Sequence, residues 1–219
     1  MNSIIQLVVL AGIAIFLILR LRNVLGTREG FEKPPEALPE ARPSRARPDL
    51  AVIEGSPDRD IVDHAAEGSP EARALAQMKR IEPAFGVTEF LTGARGAYEM
   101  ILTAFDRGDL AAVRPYLAPA VHDAFAAVVA DRQAKGLKVE STFVGVSKVE
   151  LKDADFDQVS REAEITVGFV GEMTTVVRNA EGVIVEGNAN EIRRQADSWT
   201  FARTMGSNDP NWLLVATSE

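Results

Sequence analysis

Cysteine is absent from all 219 residues. That excludes disulfides, thiolate metal sites and a thiol nucleophile, and it leaves the redox compartment open. Histidine is almost absent too, with only His64 and His122 present and no H-E-x-x-H spacing. The first falls in a proline-rich stretch and the second on a predicted helix, so no shared metal site or catalytic pair is expected. Positive charge is in deficit: 24 Lys+Arg stand against 32 Asp+Glu, a net charge of −8. The deficit lies in the C-terminal part, where residues 84–219 hold 13 basic and 20 acidic side chains. A surface this acidic repels phosphate backbones, so nucleic acid is not expected as a partner.

The chain has one long hydrophobic run, Ile4 to Leu19, in which Gln6 is the only strongly polar residue. A run of this length stands at the lower limit for spanning a bilayer, which takes about 17–25 residues. A secretory signal peptide needs positive charge before its apolar stretch and a small-residue cleavage site after it. Here no Lys or Arg precedes the run, and Arg20-Leu21-Arg22 follows it. Residues 1–22 are therefore expected to form a transmembrane anchor. Arg20, Arg22 and Arg28 flank its C-terminal end, and the positive-inside bias holds that end in the cytoplasm. The expectation is a single-pass protein of the inner (cytoplasmic) membrane with its C-terminal domain in the cytoplasm.

Residues 23–70 hold seven of the 11 prolines. Proline blocks helix and removes amide donors, and the segment has too little apolar surface to offset its ordering entropy. It reads as a disordered linker, a tether of about 40 Å r.m.s.. Ser69-Pro70-Glu71 then has the form of a helix start, with Leu75 and Met78 on one stripe and Pro83 as the stop. Residues 71–83 are expected to be a short amphipathic helix, either a peripheral arm or an element packed on its own domain.

From Ala84 onward the pattern is that of a folded domain. Phe90, Ala94, Tyr98, Ile101 and Phe105 form a helical stripe, with Thr88 as a candidate cap and Gly108 at the end. Asp109 is placed as the cap of a following short helix. Ala118-Pro119 opens another helix, with Val121, Phe125, Val128 and Arg132 on one face. The period then changes to two. Ala163, Ile165, Val167 and Phe169 alternate with polar residues, and Asn179-Ala180-Glu181-Gly182 reads as a turn between strands. Trp199-Thr200-Phe201 and Trp212 to Thr217 supply two further strands around the loop 206–211. Helices first and an antiparallel meander second give an α+β domain with helices on one face of a curled sheet.

Several blocks are similar to the Tim44-like domain family. They are Phe90 to Tyr98, Ala104 to Asp109, Arg132 to Gly136, Trp199 to Arg203 and Ser207 to Leu214, in order over residues 84–217. The leader Phe16-Leu17-Ile18-Leu19-Arg20-Leu21-Arg22 resembles the anchor of the bacterial TimA branch. The resemblance implies a cone-shaped domain like that of nuclear transport factor two, with an apolar pocket between sheet and helices. It also implies kinship with the mitochondrial scaffold that holds an Hsp70 chaperone at the import channel on a cardiolipin-rich membrane. The long N-terminal region that carries many of those contacts has no counterpart here, so that role does not transfer outright.

The inward positions of the predicted strands are Phe, Val, Ile, Ala and Trp, and the spacing picks no acid from Asp155, Asp157 and Glu191 as a buried reactive group. No cofactor or metal is implied, and an enzyme is not expected. The expectation is a membrane-anchored, non-enzymatic adaptor that recruits a protein partner, a chaperone or membrane complex, or binds membrane lipids. A lipid-binding or acyl-chain-sensing domain is the alternative, and a pocket enzyme comes third. Phe143, Phe169, Trp199 and Phe201 are the candidate pocket-lining residues.

Overall fold

A computed structural model describes residues 58–218. The expected anchor, its flanking Arg20, Arg22 and Arg28, and the tether up to residue 57 lie outside the described residues. Among the described residues no helix is long and apolar enough to cross a membrane.

The C-terminal end of the expected linker is folded, which corrects the boundary at residue 70. Arg59–Val62 forms a short helix, α1, opened by Asp58, whose side chain accepts from the Asp60 N–H at 3.0 Å. Ile61 is buried in the domain core, and the Lys79 ammonium bridges Asp58 (2.8 Å) and Asp60 (2.7 Å). One apolar side chain and two acids anchor this stretch, too few to stand out against its polar composition.

Pro70–Ile81 forms α2, capped by Ser69 through the Ala72 N–H at 3.1 Å. Leu75 and Met78 are fully buried, and the helix packs on its own domain against the first strand. Burying two such side chains contributes about 1.5–3 kcal/mol each.

Val87–Arg107 forms α3. Its Phe90, Ala94, Tyr98 and Ile101 are buried, as the stripe requires. Gly108 ends it at φ +74°, a left-handed position that suits glycine. Thr88 is not its cap. Asp60 takes that role from 27 residues upstream, accepting from the Val87 N–H at 2.7 Å and the Thr88 N–H at 2.9 Å. Asp109 opens no helix either. A 3-10 turn at Arg114–Tyr116 follows, and then α4, Pro119–Ala134. Its inward stripe includes Val121 and Val129, while Val128 is exposed. The difference is one residue of phase.

The sheet comprises β1 (Lys138–Phe156), β2 (Glu162–Arg178), β3 (Ile184–Gly187), β4 (Arg193–Thr204) and β5 (Leu213–Ser218). All pairings are antiparallel, in the order β1-β2-β4-β5, with β3 on β2. Register shifts after Phe143, Val146 and Leu151 mark bulges in β1, and bulges bend a strand and increase its twist. Ala163, Ile165, Val167 and Phe169 are buried while Glu164 faces out, so the alternation of β2 is the one expected. The β2–β3 turn is also where it was expected, with Gly182 at φ +79°. The fold is α+β, with helices packed on an antiparallel sheet.

Candidate functional site

The centre of the domain is filled. Tyr98 on α3 stacks on Phe169 of β2, with ring centroids 4.5 Å apart and planes 14° from parallel. Trp199 on β4 lies 4.7 Å from the same ring, and Phe143 on β1 meets its edge at 6.2 Å. Tyr98 is fully buried, so its hydroxyl needs a partner. It donates to Oδ2 of Asp197, whose Oδ1 accepts from Gln195 Nε2 at 3.0 Å. Burial first, and then the hydrogen bond and the charge of Asp197, push the Tyr98 hydroxyl above its ordinary pKa. Such a phenol stays protonated and serves as a donor, not as a base.

Asp197 is the buried charged residue among those described. Asp155, Asp157 and Glu191 are all exposed. The signal was in the strand period: counting back two from Trp199 places Asp197 on the inward face. The hydroxyl of Tyr98 also needs space on β2. A Cβ on Gly171 would lie 2.7 Å from it, so the glycine leaves the gap that the phenol fills.

An open cleft lies beside this core. It has a volume of about 440 Å³ and is walled by Phe85, Phe90, Met100, Tyr116, Phe201 and Trp212. Phe90 comes from the first turn of α3 and Phe85 from the link that precedes it, while Trp212 arrives from the β4–β5 loop. The rings hold one another: Phe90 lies 4.7 Å from Trp212 and meets Phe201 edge-on at 6.0 Å, and Phe85 lies 5.9 Å from Trp212.

Of the four candidate pocket residues, Phe201 reaches this cleft, and Phe143, Phe169 and Trp199 pack around Tyr98 instead. Phe85, Tyr116 and Trp212 were missed. Phe85 and Trp212 sit in links between elements and Tyr116 ends the short 3-10 turn, where no periodicity points them inward.

The polar side of the cleft is formed by an ion pair together with Glu89 and Asn211. Glu82, at the end of α2, accepts from Arg203 of β4, and its Oε2 also accepts from the Gly206 N–H at 3.2 Å. The Arg203 hydrogen bond holds the Glu82 carboxyl below its ordinary pKa; burial opposes this, and the Gly206 N–H adds to it. The Arg203 guanidinium lies 5.8 Å from the Trp212 ring centre. These charges are committed to one another and fix the loop that carries Trp212. His64 and His122 are apart in role as well as in sequence: His64 bonds Thr88 Oγ1 at 2.9 Å and His122 bonds Asp123 at 3.1 Å. Among the described residues no group of His, Asp or Glu is placed to hold a metal.

The molecule is thus an α+β domain, with helices on an antiparallel sheet and an aromatic cleft beside a filled core. The family model for the Tim44-like domain matches residues 71–219, and the chain belongs to that family. It is 24% identical over 150 residues to the human mitochondrial import inner membrane translocase subunit TIM44, covering 67% of this chain and 33% of that protein. The Rattus norvegicus protein of the same name is 23% identical over the same shares. The chain thus spans about a third of the length of these relatives. Among solved structures, the intermembrane space region of the chloroplast protein ARC6 aligns at a TM-score of 0.40 and 12% identity. That match covers 60% of this chain and 92% of the other.

Proposed function

We propose that this chain is a membrane-anchored, non-enzymatic adaptor of the bacterial branch of its family, whose C-terminal domain engages a protein partner at the cytoplasmic face of the membrane. The observation that carries the reading is the cleft. Its walls are largely aromatic and aliphatic, and the Glu82–Arg203 ion pair beside them is closed on itself. Such a surface gives contact area and shape, and its other polar side chains, Glu89 and Asn211, stand among apolar walls, which suits recognition better than catalysis. The relatives whose names describe a translocase subunit support a role in an assembly. The run Ile4–Leu19 and the arginines after it support the anchor and its orientation.

The test has two parts. A reporter fused after Glu219 should be active only in the cytoplasm; activity of a periplasm-specific reporter there would reverse the orientation. Crosslinked membranes carrying the tagged chain should yield a discrete partner that is lost with Met100→Asp and with Trp212→Ala. An unchanged set of crosslinked proteins in both variants would remove the cleft from the reading.

A second reading is favoured by the cleft's size and apolar lining, which fall in the range of small-ligand pockets, about 300–1,000 Å³. In it the cleft holds a lipid acyl chain. Mass spectrometry of an extracted fragment spanning residues 58–219 should then show a stoichiometric lipid that disappears with Trp212→Ala.

A further inference from the structure

A second groove, of about 430 Å³, lies between the C-terminal ends of α3 and α4 and the start of β1. It shares no lining residue with the aromatic cleft. Phe105, Val129 and Leu137 contribute apolar surface, and Arg107 and Arg132 bring positive charge. Four consecutive residues of β1, Lys138 to Ser141, line it as well. Successive side chains of a strand point to opposite faces, so a groove touched by four in a row runs along the strand's edge. β1 ends the strand order and pairs with β2 alone, so no strand covers that edge.

Arg132 is the group without an evident role here. Its guanidinium lies 4.4 Å over the Phe105 ring, and its Nη1 is buried with no hydrogen-bond partner. The acids nearby are committed elsewhere. Asp106 accepts from Ser141 Oγ at 2.5 Å, and Asp131 pairs with Lys135 at 2.7 Å. Glu140 holds Lys138 at 3.0 Å and Arg178 at 2.9 Å. The other guanidinium with an orphaned buried nitrogen, that of Arg203, is neutralised by Glu82. Every lysine among the described residues is paired with a carboxylate. In a chain of net charge −8, a half-buried cation left unpaired beside an open strand edge calls for an acid from outside.

We infer that this groove binds an acidic peptide, which adds as a strand to the edge of β1 and places a carboxylate on Arg132. Main-chain hydrogen bonds to the edge supply affinity to any extended peptide, and the guanidinium supplies the preference for acid. Arg107 lines the same groove and adds to its positive potential. The surroundings disfavour a phosphoryl group. Asp106 and Glu140 border the groove, and α3 and α4 both end at it with the negative poles of their dipoles. A dianion would feel that repulsion twice over. A single carboxylate on an aliphatic stem feels half of it and gains apolar contact from Phe105 and Leu137.

The test is binding of a fluorescein-labelled peptide to the detergent-solubilised full chain, read by fluorescence anisotropy. The probe is a short, end-blocked peptide of alternating valine and threonine with a single glutamate, and its control carries glutamine there. The glutamate peptide should bind about tenfold more tightly than the control. A chain of net charge −8 repels acid in general, so such a preference reports local cations. Arg132→Gln should abolish the preference and Arg107→Gln should reduce it. N-methylation of alternate amides should weaken both peptides about tenfold by blocking strand pairing. Equal or undetectable binding of the two peptides by the unsubstituted chain would overturn the inference, whatever the variants do to folding. So would undiminished binding of the N-methylated probe, or free butyrate binding as tightly as the peptide, which would make the ligand a small acid. Tighter binding with phosphothreonine in place of the glutamate would assign a phosphoryl group instead. Loss of binding with Trp212→Ala but not with Arg132→Gln would seat the peptide in the aromatic cleft and overturn the site.

Discussion

The carboxylate of Asp60 accepts hydrogen bonds from the backbone N–H groups of Val87 and Thr88 and thereby caps a helix that begins 27 residues later in the chain. The nominal N-cap position, Gly86, has no side chain with which to do so. Asp60 supplies both the acceptor and the negative charge that a helix N-terminus favours. Asp60→Ala should therefore destabilise the domain by about 1–2 kcal/mol, lowering its melting temperature by roughly 2–8 °C. Thermal unfolding of a fragment spanning residues 58–219, followed by circular dichroism, reads this directly. An unchanged midpoint would show that water caps the helix equally well.

The same carboxylate makes stability depend on pH. Burial acts to raise its pKa, but the Lys79 hydrogen bond and the N–H donors of Thr88 and Val87 act the other way and hold it well below the ordinary carboxylate range. A depressed folded-state pKa means that the stabilisation is fully present above the unfolded pKa of about 4 and is lost as pH falls through the folded value. Glu82 is shifted in the same direction by Arg203. Urea unfolding should show the 58–219 fragment and its Asp60→Asn variant differing at pH 7 and converging toward pH 2. A gap that stayed constant across that window would assign the effect of Asp60 to shape instead of charge.

Fragment boundaries follow from the same geometry. A chain starting at Ala84 loses Ile61, Leu75 and Met78 from the core, together with the Asp60 cap and the Glu82–Arg203 pair. Burial of each such side chain contributes about 1.5–3 kcal/mol, and a whole domain retains only about 5–15 kcal/mol. The fragment 84–219 should fail to unfold cooperatively in urea, whereas 58–219 should do so. Limited proteolysis of the full chain should cut within 23–57 and spare 58–83. A cooperative 84–219 fragment would mean that α1 and α2 are accessories.

What was legible in the sequence, and what was not, divides along the distance over which an interaction acts. The α3 stripe, the Gly108 stop, the alternation of β2 and the turn at Asn179–Gly182 are local patterns, and all are where they were expected. Asp60 was unreadable because its partners lie 27 and 28 residues away and its own neighbours are those of a linker. The core and the cleft were confused for a related reason. Period two puts Phe169, Trp199 and Phe201 on one face, but it cannot say which of them a helix covers. Tyr98 fills the space over Phe169 and Trp199, and only Phe201 extends to the open side.

Gly171 and Tyr98 should behave as a coupled pair. A methyl at Gly171 would meet the Tyr98 hydroxyl at 2.7 Å and the ring carbons at 3.1 and 3.3 Å, and the ring is held between Phe169 and Trp199. Gly171→Ala should cost about 1–3 kcal/mol through overpacking. Tyr98→Phe should cost about 1–3 kcal/mol by another route, since it removes a donor from the buried Asp197 carboxylate. Combined, the two should cost less than their sum by about 0.5 kcal/mol or more, because the first clash is with the oxygen that the second removes. Strict additivity in urea unfolding would show that β2 moves to accept the methyl.

The last contrast separates the core aromatics from the cleft aromatics. Phe169 is almost wholly buried and stacked on Tyr98, so Phe169→Ala leaves a cavity that rigid neighbours cannot fill. Its cost should be about 3–5 kcal/mol, the range for deleting a buried aromatic. Trp212 is only half-buried, with an open volume on one side and Phe85, Phe90 and Arg203 around the rest. Less close packing is lost there, so Trp212→Ala should cost under about 2 kcal/mol. Ligand readouts should run in the opposite order. Trp212→Ala should change dye or partner binding at the cleft, while Phe169→Ala, measured where it is still folded, should leave it nearly intact. Denaturant midpoints and dye titrations on the same pair of variants decide the matter. If Trp212→Ala proves as destabilising as Phe169→Ala and binding is insensitive to both, the cleft is merely an extension of the core and the partner is met elsewhere on the surface.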